Sequence, residues 1–224
     1  MTEEVKKGVI IEFDFAVVNG AQILFDTTKK LLNDVEIPFD KRVEAFHLAG
    51  GNYQGGLAEY FAEIKTKKTA QKAAKDISTT FSNALTKTLP GSVTEDFRAF
   101  LRILLERGLK VVVATRAHMD EAKKAFAEFM ENPDFALYQE VSSAYGCVKW
   151  DAWRRAAAAH HLRSFLTIAV AGSGLSVKSA LLAGVGAFAV MNEHVAYQDV
   201  SGVDEIVDKV DANIAEKIAA KLKA

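Results

Sequence analysis

Two carboxylic acids follow the first apolar run of the chain. The segment KGVIIEFDFAVVNG, residues 7–20, carries Glu12 and Asp14 directly after the run GVII. Alternation along an extended strand places residues i and i+2 on one face, so the two carboxylates can serve one site. Carboxylates placed in this way can bind a polar or cationic ligand, or exchange protons with it. The end of this strand is therefore the first candidate functional site.

Other polar groups follow the later apolar runs in the same way. Thr115 and Arg116 come at the end of LKVVVAT. Lys149 precedes the helical segment WDAWRRAAAAHHL, and the turn AGSGLS (residues 171–176) follows FLTIAV. In a parallel sheet, ligands bind beyond the carboxyl ends of the strands. We therefore expect a hydroxyl, cations and a glycine–serine turn to converge with the two acids on one crevice.

The elements that must position these groups alternate along the second part of the chain. Helical and apolar segments follow one another in the order SVTEDFRAFLRILLERG, LKVVVAT, MDEAKKAFAEFM, ALYQEVSS, KWDAWRRAAAAHHL, FLTIAVAG, SVKSALLAG and GAFAVMN. Short apolar runs between amphipathic helices predict an α/β fold with a parallel sheet covered on both faces. Ser92 or Thr94 is the predicted N-cap of the first of these helices, and Gly108 its stop. The tail VDEIVDKVDANIAEKIAAKLKA predicts one or two surface helices.

The segment between the first strand and this alternating region has a different character. From about residue 23 to residue 88 it is rich in Ala, Lys, Leu and Phe at helical spacing. Its expected breaks are EIPFD, AGGNYQGG and LPGS. The segment therefore predicts a helical module inserted after the first strand.

Composition excludes several classes of partner and location. The chain has 224 residues, of which 50% are hydrophobic and 25% charged, and its formal net charge is −1. A balance near zero argues against a nucleic acid or an anionic membrane as partner. The single Cys147 excludes an internal disulfide. The N-terminus MTEEVKKG lacks the apolar stretch of a signal peptide, and the longest apolar run is interrupted by Lys178 and by several Gly and Ser. We therefore expect a cytoplasmic protein.

Taken together, these motifs resemble the haloacid dehalogenase (HAD) superfamily, in particular its phosphoglycolate phosphatase and β-phosphoglucomutase-like branch. The family opens with strand-Asp-x-Asp-Gly-Thr-Leu, to which EFDFAV at residues 12–17 corresponds. LPGSVTEDFRAFLRILLERGLKVVVAT is similar to its second motif, Lys149 to the lysine of its third, and VAGSGLSVKSALLAG to its fourth. The resemblance implies a three-layer αβα, Rossmann-like core made of residues 1–21 and 89–224. It also implies a helical cap made of residues 22–88.

The resemblance also implies roles for the residues of the crevice. Glu12 stands in the place of the phosphoryl-accepting aspartate, and Asp14 in that of the acid/base, with Lys149 completing the catalytic set. Thr115, Lys149, Arg116 and Ser173 are the implied phosphate or anion ligands. An active enzyme would hold Mg²⁺, for which Glu12 and Asp14 are the implied protein ligands.

Several positions depart from the family pattern. Glu12 is one methylene longer than aspartate, which moves its carboxylate by roughly 1.3–1.5 Å, and a misplacement of about 1 Å can cost on the order of 10²-fold in rate. Phe15 and Ala16 replace the glycine and the hydroxyl residue of the first motif. The aspartate of the fourth motif is replaced by Gly172, or by Ser173 if the frame shifts by one. No Asp or Glu occurs between Asp151 and Glu193, so the loss does not depend on the alignment.

Three hypotheses about function follow. The first is a HAD-like protein with a degenerate site, without efficient Mg²⁺-dependent phosphatase activity, that binds a small anionic or phosphorylated molecule or a protein partner. The second is an active phosphatase or related hydrolase that uses Glu12 on a small phosphorylated metabolite. The third is a purely structural or interaction protein with an empty crevice. Individual residues carry plainer alternatives too: a Glu12–Lys149 ion pair, Thr115 as a helix cap, Arg116 as a solvated side chain, and AGSGLS as a turn without a ligand.

Overall fold

A six-stranded, all-parallel sheet forms the centre of the protein. The computed structural model describes residues 6–48, 52–139 and 150–223. Along the sheet the strand order is β3-β2-β1-β4-β5-β6. The strands are β1 (Lys6–Glu12), β2 (Lys110–Thr115), β3 (Phe135–Gln139), β4 (Leu162–Ala171), β5 (Gly186–Val190) and β6 (Glu205–Val207). This order places β1 in the interior of the sheet, between β2 and β4.

Both faces of the sheet are covered by helices, as the sequence predicted. Val9 and Ile11 contribute to a hydrophobic cluster on one face, and Ile10 contributes to a second cluster on the other. On the first face lie α6 (Glu95–Glu106), α7 (Met119–Ala125) and α10 (Ala212–Leu222), and on the second lie α8 (Trp150–Ala159) and α9 (Gly174–Leu182). Strands buried on both sides need apolar residues at successive positions, which explains runs such as VIIE and VVVAT. The fold is α/β with three layers.

The N-terminal part of the chain between β1 and α6 is helical. A short helix, α1 (Phe13–Ala16), begins directly at the end of β1 and is wholly buried. It is followed by α2 (Gly20–Asn33), α3 (Lys41–Val43), a π-helical turn (Glu44–Leu48), α4 (Tyr53–Glu63) and α5 (Ala70–Ser92). One hydrophobic cluster contains residues of these helices and of β1, since it includes Val9, Leu57 and Ile77. The division into a core and a cap at residues 22–88 stays a prediction.

Two of the predicted helix breaks are displaced. EIPFD lies between α2 and α3, as expected; of AGGNYQGG, residues 49–51 lie outside the described residues, and Gly55 and Gly56 lie inside α4 rather than in a turn. The break predicted at LPGS is displaced to its last residue, because α5 continues through Pro90 and ends at Ser92. Leu85 and Leu89 are buried on the face of α5 that leads up to the proline. Tertiary burial there outweighs the local preference of proline to end a helix, although Pro90 has no backbone N–H to donate to the residue four positions earlier.

The ends of α6 agree with the sequence. Thr94 is its N-cap, and the Thr94 hydroxyl accepts a hydrogen bond from the Phe97 backbone N–H at 3.3 Å. Gly108 follows the helix with φ +72°, a left-handed conformation that glycine adopts without strain.

The tail is only partly helical, which corrects the prediction made from its sequence. Glu205–Val207 forms the edge strand β6, which pairs with β5 through Ala189 and Ile206. Helix α10 follows it and packs one buried face, which includes Ile214 and Ile218, against the molecule. A three-residue edge strand carries too little alternation to be distinguished from a helical turn by sequence periodicity.

The long apolar run from residue 165 to residue 191 divides into β4, α9 and β5, as predicted. Among residues 6–48, 52–139 and 150–223, no helix combines the length and the apolar character needed to cross a membrane.

Candidate functional site

The carboxyl ends of three adjacent strands bring most of the predicted site residues together. Strand β1 ends at Glu12, β2 at Thr115 and β4 at Ala171, and β1 pairs directly with both neighbours. The two acids therefore lie between the end of β2 and the turn that joins β4 to α9. Glu12 and Asp14 are each only 1% exposed.

Asp14 is bonded to the end of β2. The Thr115 hydroxyl donates to Asp14 Oδ1 at 2.6 Å, and the Arg116 backbone N–H donates to Oδ2 at 2.8 Å. Arg116 Nη1 lies 3.5 Å from the same Oδ2 atom. Burial raises the pKa of Asp14, while the Arg116 charge and the hydrogen bonds from Thr115 and Arg116 oppose that rise. Both oxygens of this carboxylate therefore face protein donors.

Glu12 is bonded in the opposite direction, to the turn between β4 and α9. The Gly172 backbone N–H donates to Glu12 Oε2 at 3.0 Å, and the Ser176 hydroxyl donates to Oε1 at 2.6 Å. Ser173 is the N-cap of α9, and its hydroxyl accepts from the Ser176 backbone N–H at 3.1 Å. The Gly174 N–H donates to the side chain of Gln198 at 2.8 Å. Three N–H groups of this turn thus bind side-chain oxygens of the protein itself.

Gly172 has no room for a side chain. A Cβ atom at this position would lie 2.1 Å from the carbonyl carbon of Phe15, 2.3 Å from its oxygen and 2.5 Å from the nitrogen of Ala16. These are backbone atoms of α1, which cannot rotate away as a side chain can. The Phe15 ring is buried and lies 6.0 Å from the ring of Phe81 in α5. In the ungapped register, the position that would carry the family's fourth-motif aspartate is therefore covered by the first helix, and in the shifted register it is Ser173, the N-cap of α9.

The described residues do not fit a Mg²⁺ site. Mg²⁺ requires oxygen ligands in near-octahedral geometry and is usually bound through one or two carboxylates. Here the Asp14 and Glu12 carboxylates accept protein hydrogen bonds on both of their oxygens, and Gly172, which has no side chain, supplies no carboxylate. Within the three described ranges, no group of three or more His, Cys, Asp or Glu side chains is arranged to hold a metal ion.

Most of the predicted site residues meet in the structure, although their predicted roles remain predictions. Thr115 bonds Asp14 and accepts from the Ala117 N–H at 3.0 Å, while α7 takes His118 as its N-cap residue. Arg116 is buried against Asp14 and is 6% exposed. Ser173 lies on the turn that binds Glu12. Lys149, together with any Glu12–Lys149 pair, lies outside the described residues.

Two features were not predicted from the sequence. The turn AGSGLS was expected in the crevice, but not the hydrogen bonds that its Gly172 N–H and Ser176 hydroxyl donate to Glu12. His194, after β5, is 5% exposed; its Nε2 pairs with Gln22 of α2, and its ring lies 5.9 Å from that of Phe25. Nothing in the local sequence marks His194 as a link between the sheet edge and α2.

The fold matches solved structures over nearly the whole chain. CbbY from Rhodobacter sphaeroides, solved in complex with phosphate, superimposes with a TM-score of 0.67 at 12% identity, covering 94% of this chain and 96% of that one. The β-phosphoglucomutase from Clostridium difficile gives 0.69 at 10% identity, covering 98% and 100%. A predicted phosphatase from Clostridium acetobutylicum gives 0.65 at 18% identity, covering 97% and 100%. No protein-family model and no curated protein matches the sequence. These structures share the fold predicted from the motifs, a likeness that does not extend to an activity.

Proposed function

We propose that this protein, which has the haloacid dehalogenase fold, does not catalyse efficient Mg²⁺-dependent phosphoryl transfer and acts instead as a binding protein. The observation that carries the proposal is the backbone of Phe15 and Ala16 lying over Gly172. In the ungapped register, this is the position at which the resemblance requires an acid for the metal, and the close approach leaves no space for one. In the register shifted by one, the position is Ser173, which is 1% exposed and caps α9 by accepting a hydrogen bond from the Ser176 backbone N–H. An acid introduced at position 172 alone would therefore not rebuild the site.

The state of the two acids supports the same proposal. A nucleophilic carboxylate needs an oxygen free to reach the phosphorus atom, and a general acid must reach the leaving group. Asp14 and Glu12 instead direct their oxygens to Thr115, Arg116, Gly172 and Ser176. Both side chains are almost completely buried. A carboxylate oxygen can accept a second partner, but a phosphoryl group could reach either acid only if the residues that bury it moved apart.

Of the two ligand classes expected from the sequence, these contacts favour a protein partner over a small anion in the crevice. Backbone N–H groups at a helix N-terminus are good anion ligands. At α9, however, the N–H groups of Gly172, Gly174 and Ser176 already donate to Glu12, Gln198 and Ser173. Large aromatic side chains are meanwhile exposed on the surface, namely Phe46, Phe165 and Tyr197. Such residues are enriched at protein interfaces.

The test is phosphate release from a panel of phosphorylated metabolites, with and without Mg²⁺. Glu12→Gln serves as the background control, because it keeps the side-chain length and removes the charge. We expect wild-type release to equal that of Glu12→Gln under both conditions. Turnover that requires both Mg²⁺ and Glu12 would contradict the proposal and support the active-phosphatase hypothesis.

A further inference from the structure

We infer that Glu12 is a structural clamp that fixes the β4–α9 turn and makes the fold of this crevice independent of a divalent cation. The clamp consists of the Glu12 carboxylate, the Gly172 N–H and the Ser176 hydroxyl. This structural role of Glu12 goes beyond the proposed function, which concerns only the reaction that the protein does not catalyse. The stability of the Glu12 variants and the release of phosphate are measured independently, so either claim can fail without the other.

The Glu12 side chain is long enough to reach the turn between β4 and α9. The carboxylate reaches donors at 3.0 Å and 2.6 Å, one oxygen for each donor. Aspartate at the same position would hold its carboxylate roughly 1.3–1.5 Å further back. That retreat stretches both contacts to about 4 Å, which is beyond hydrogen-bonding distance. The extra methylene of Glu12 is therefore what allows the contact.

The Glu12 carboxylate binds at the N-terminus of α9. Gly172 precedes α9 and Ser176 lies in its first turn, so the carboxylate sits at the N-terminus of a nine-residue helix. A negative group is stabilised there by the helix dipole and by backbone N–H groups that have no acceptor within the helix itself. The turn is also capped from within by Ser173, which is 1% exposed. Glu12 thus joins the end of β1 to the start of α9 through contacts 160 and 164 residues apart in sequence.

The backbone of α1 packs closely over Gly172. Phe15 and Ala16 follow Glu12 directly, and their backbone lies against the Gly172 Cα. The clamp therefore holds together the two segments, β1–α1 and β4–α9, that would have to separate to admit a cation. The same hydrogen bonds are the reason why this arrangement does not fit a Mg²⁺ site.

The experiment compares unfolding of Glu12→Asp with that of Glu106→Asp, in Mg²⁺ and in EDTA. Glu106 is an exposed residue of α6, so its variant measures the same chemical change without a buried contact. We expect Glu12→Asp to raise the unfolding constant on the order of 30-fold and Glu106→Asp to raise it by less than about 3-fold. Wild-type protein should unfold at the same midpoint with Mg²⁺ and with EDTA.

A second variant keeps the assignment testable if Glu12→Asp does not fold. Ser176→Ala removes one donor, and hydrogen exchange then reports on the Gly172 amide. We expect Gly172 to be protected in the wild type and to exchange about tenfold faster in Ser176→Ala. Equal stability of the Glu12 and Glu106 variants, unchanged Gly172 exchange, or a Mg²⁺-dependent rise in the wild-type midpoint would each overturn the clamp. Phosphate release, measured separately, decides the proposed function.

Discussion

The two sides of the crevice, both reached from the end of β1, differ in how they hold an acid. On the β2 side, Asp14 meets a hydroxyl and a buried cation, Thr115 and Arg116. On the β4 side, Glu12 meets a backbone N–H and the Ser176 hydroxyl in a turn pressed against α1. The β2 side keeps the residue types of the resembled family, and the β4 side does not.

This difference shows that residues of one chain that resemble a single motif set can have different surroundings. Asp14 and Thr115 match the family pattern, and in this structure they bond to each other and are buried. The proposed loss of phosphoryl transfer rests on the β4 side, where Gly172 has no space for a side chain. The comparison can be tested on each side separately.

The largest expected effect is on the β4 side. Gly172→Ala places a Cβ within 2.1 Å of the Phe15 backbone, so we expect a loss in the free energy of unfolding of roughly 4 kcal/mol. The matched control is Gly91→Ala in α5, where an added Cβ meets nothing within 4 Å. Urea denaturation of both variants measures the difference, and equal stability would show that α1 can move away from the turn.

The next effect is on the β2 side. Arg116→Met leaves the Asp14 carboxylate buried without its cation, and we expect this to cost about 3 kcal/mol of unfolding free energy. Arg107→Met breaks an exposed pair with Glu216 and serves as the control, with an expected cost below about 1 kcal/mol. Similar losses for the two variants would mean that Arg116 does not stabilise Asp14.

A smaller effect is expected when the hydroxyl on the same side is removed. Thr115→Val keeps the shape of the side chain but removes both the donor to Asp14 Oδ1 and the acceptor of the Ala117 N–H. We expect a loss of about 1–2 kcal/mol in the free energy of unfolding, because two buried groups are each left with one partner fewer. Thermal unfolding of Thr115→Val beside Thr79→Val, an exposed residue of α5 bonded only to its own helix, measures the contribution.

The smallest effect concerns pH. Because burial raises the pKa of Asp14 above its ordinary value of 3.8, the folded protein binds this proton more tightly than the unfolded chain does. The stability contributed by protonated Asp14 is fully present below pH 3.8 and is lost as pH rises through the raised value. We expect the stability difference between wild type and Asp14→Asn to shift in favour of the wild type as pH falls. A stability difference between wild type and Asp14→Asn that does not change with pH would contradict a raised pKa of Asp14.

The alternation of elements and the positions of the strand ends were predictable from the sequence. Short apolar runs such as VII and VVVA, placed between amphipathic helices, favour strands that are buried on both faces of a covered parallel sheet. The edge strand β6 and the passage of α5 through Pro90 were not predictable in this way. In both cases packing against distant residues outweighs the local preference.

For the site, the residue types alone predict which groups gather at the ends of the strands, and they show that no acid lies between Asp151 and Glu193. The three-dimensional contacts add that Asp14 bonds to the end of β2, that Glu12 bonds to the turn between β4 and α9, and that α1 covers Gly172. The physical reason is that these contacts join residues more than a hundred positions apart. A change of about 1 Å in side-chain reach or backbone separation decides whether such contacts form, and the residue pattern of a single chain does not encode that distance.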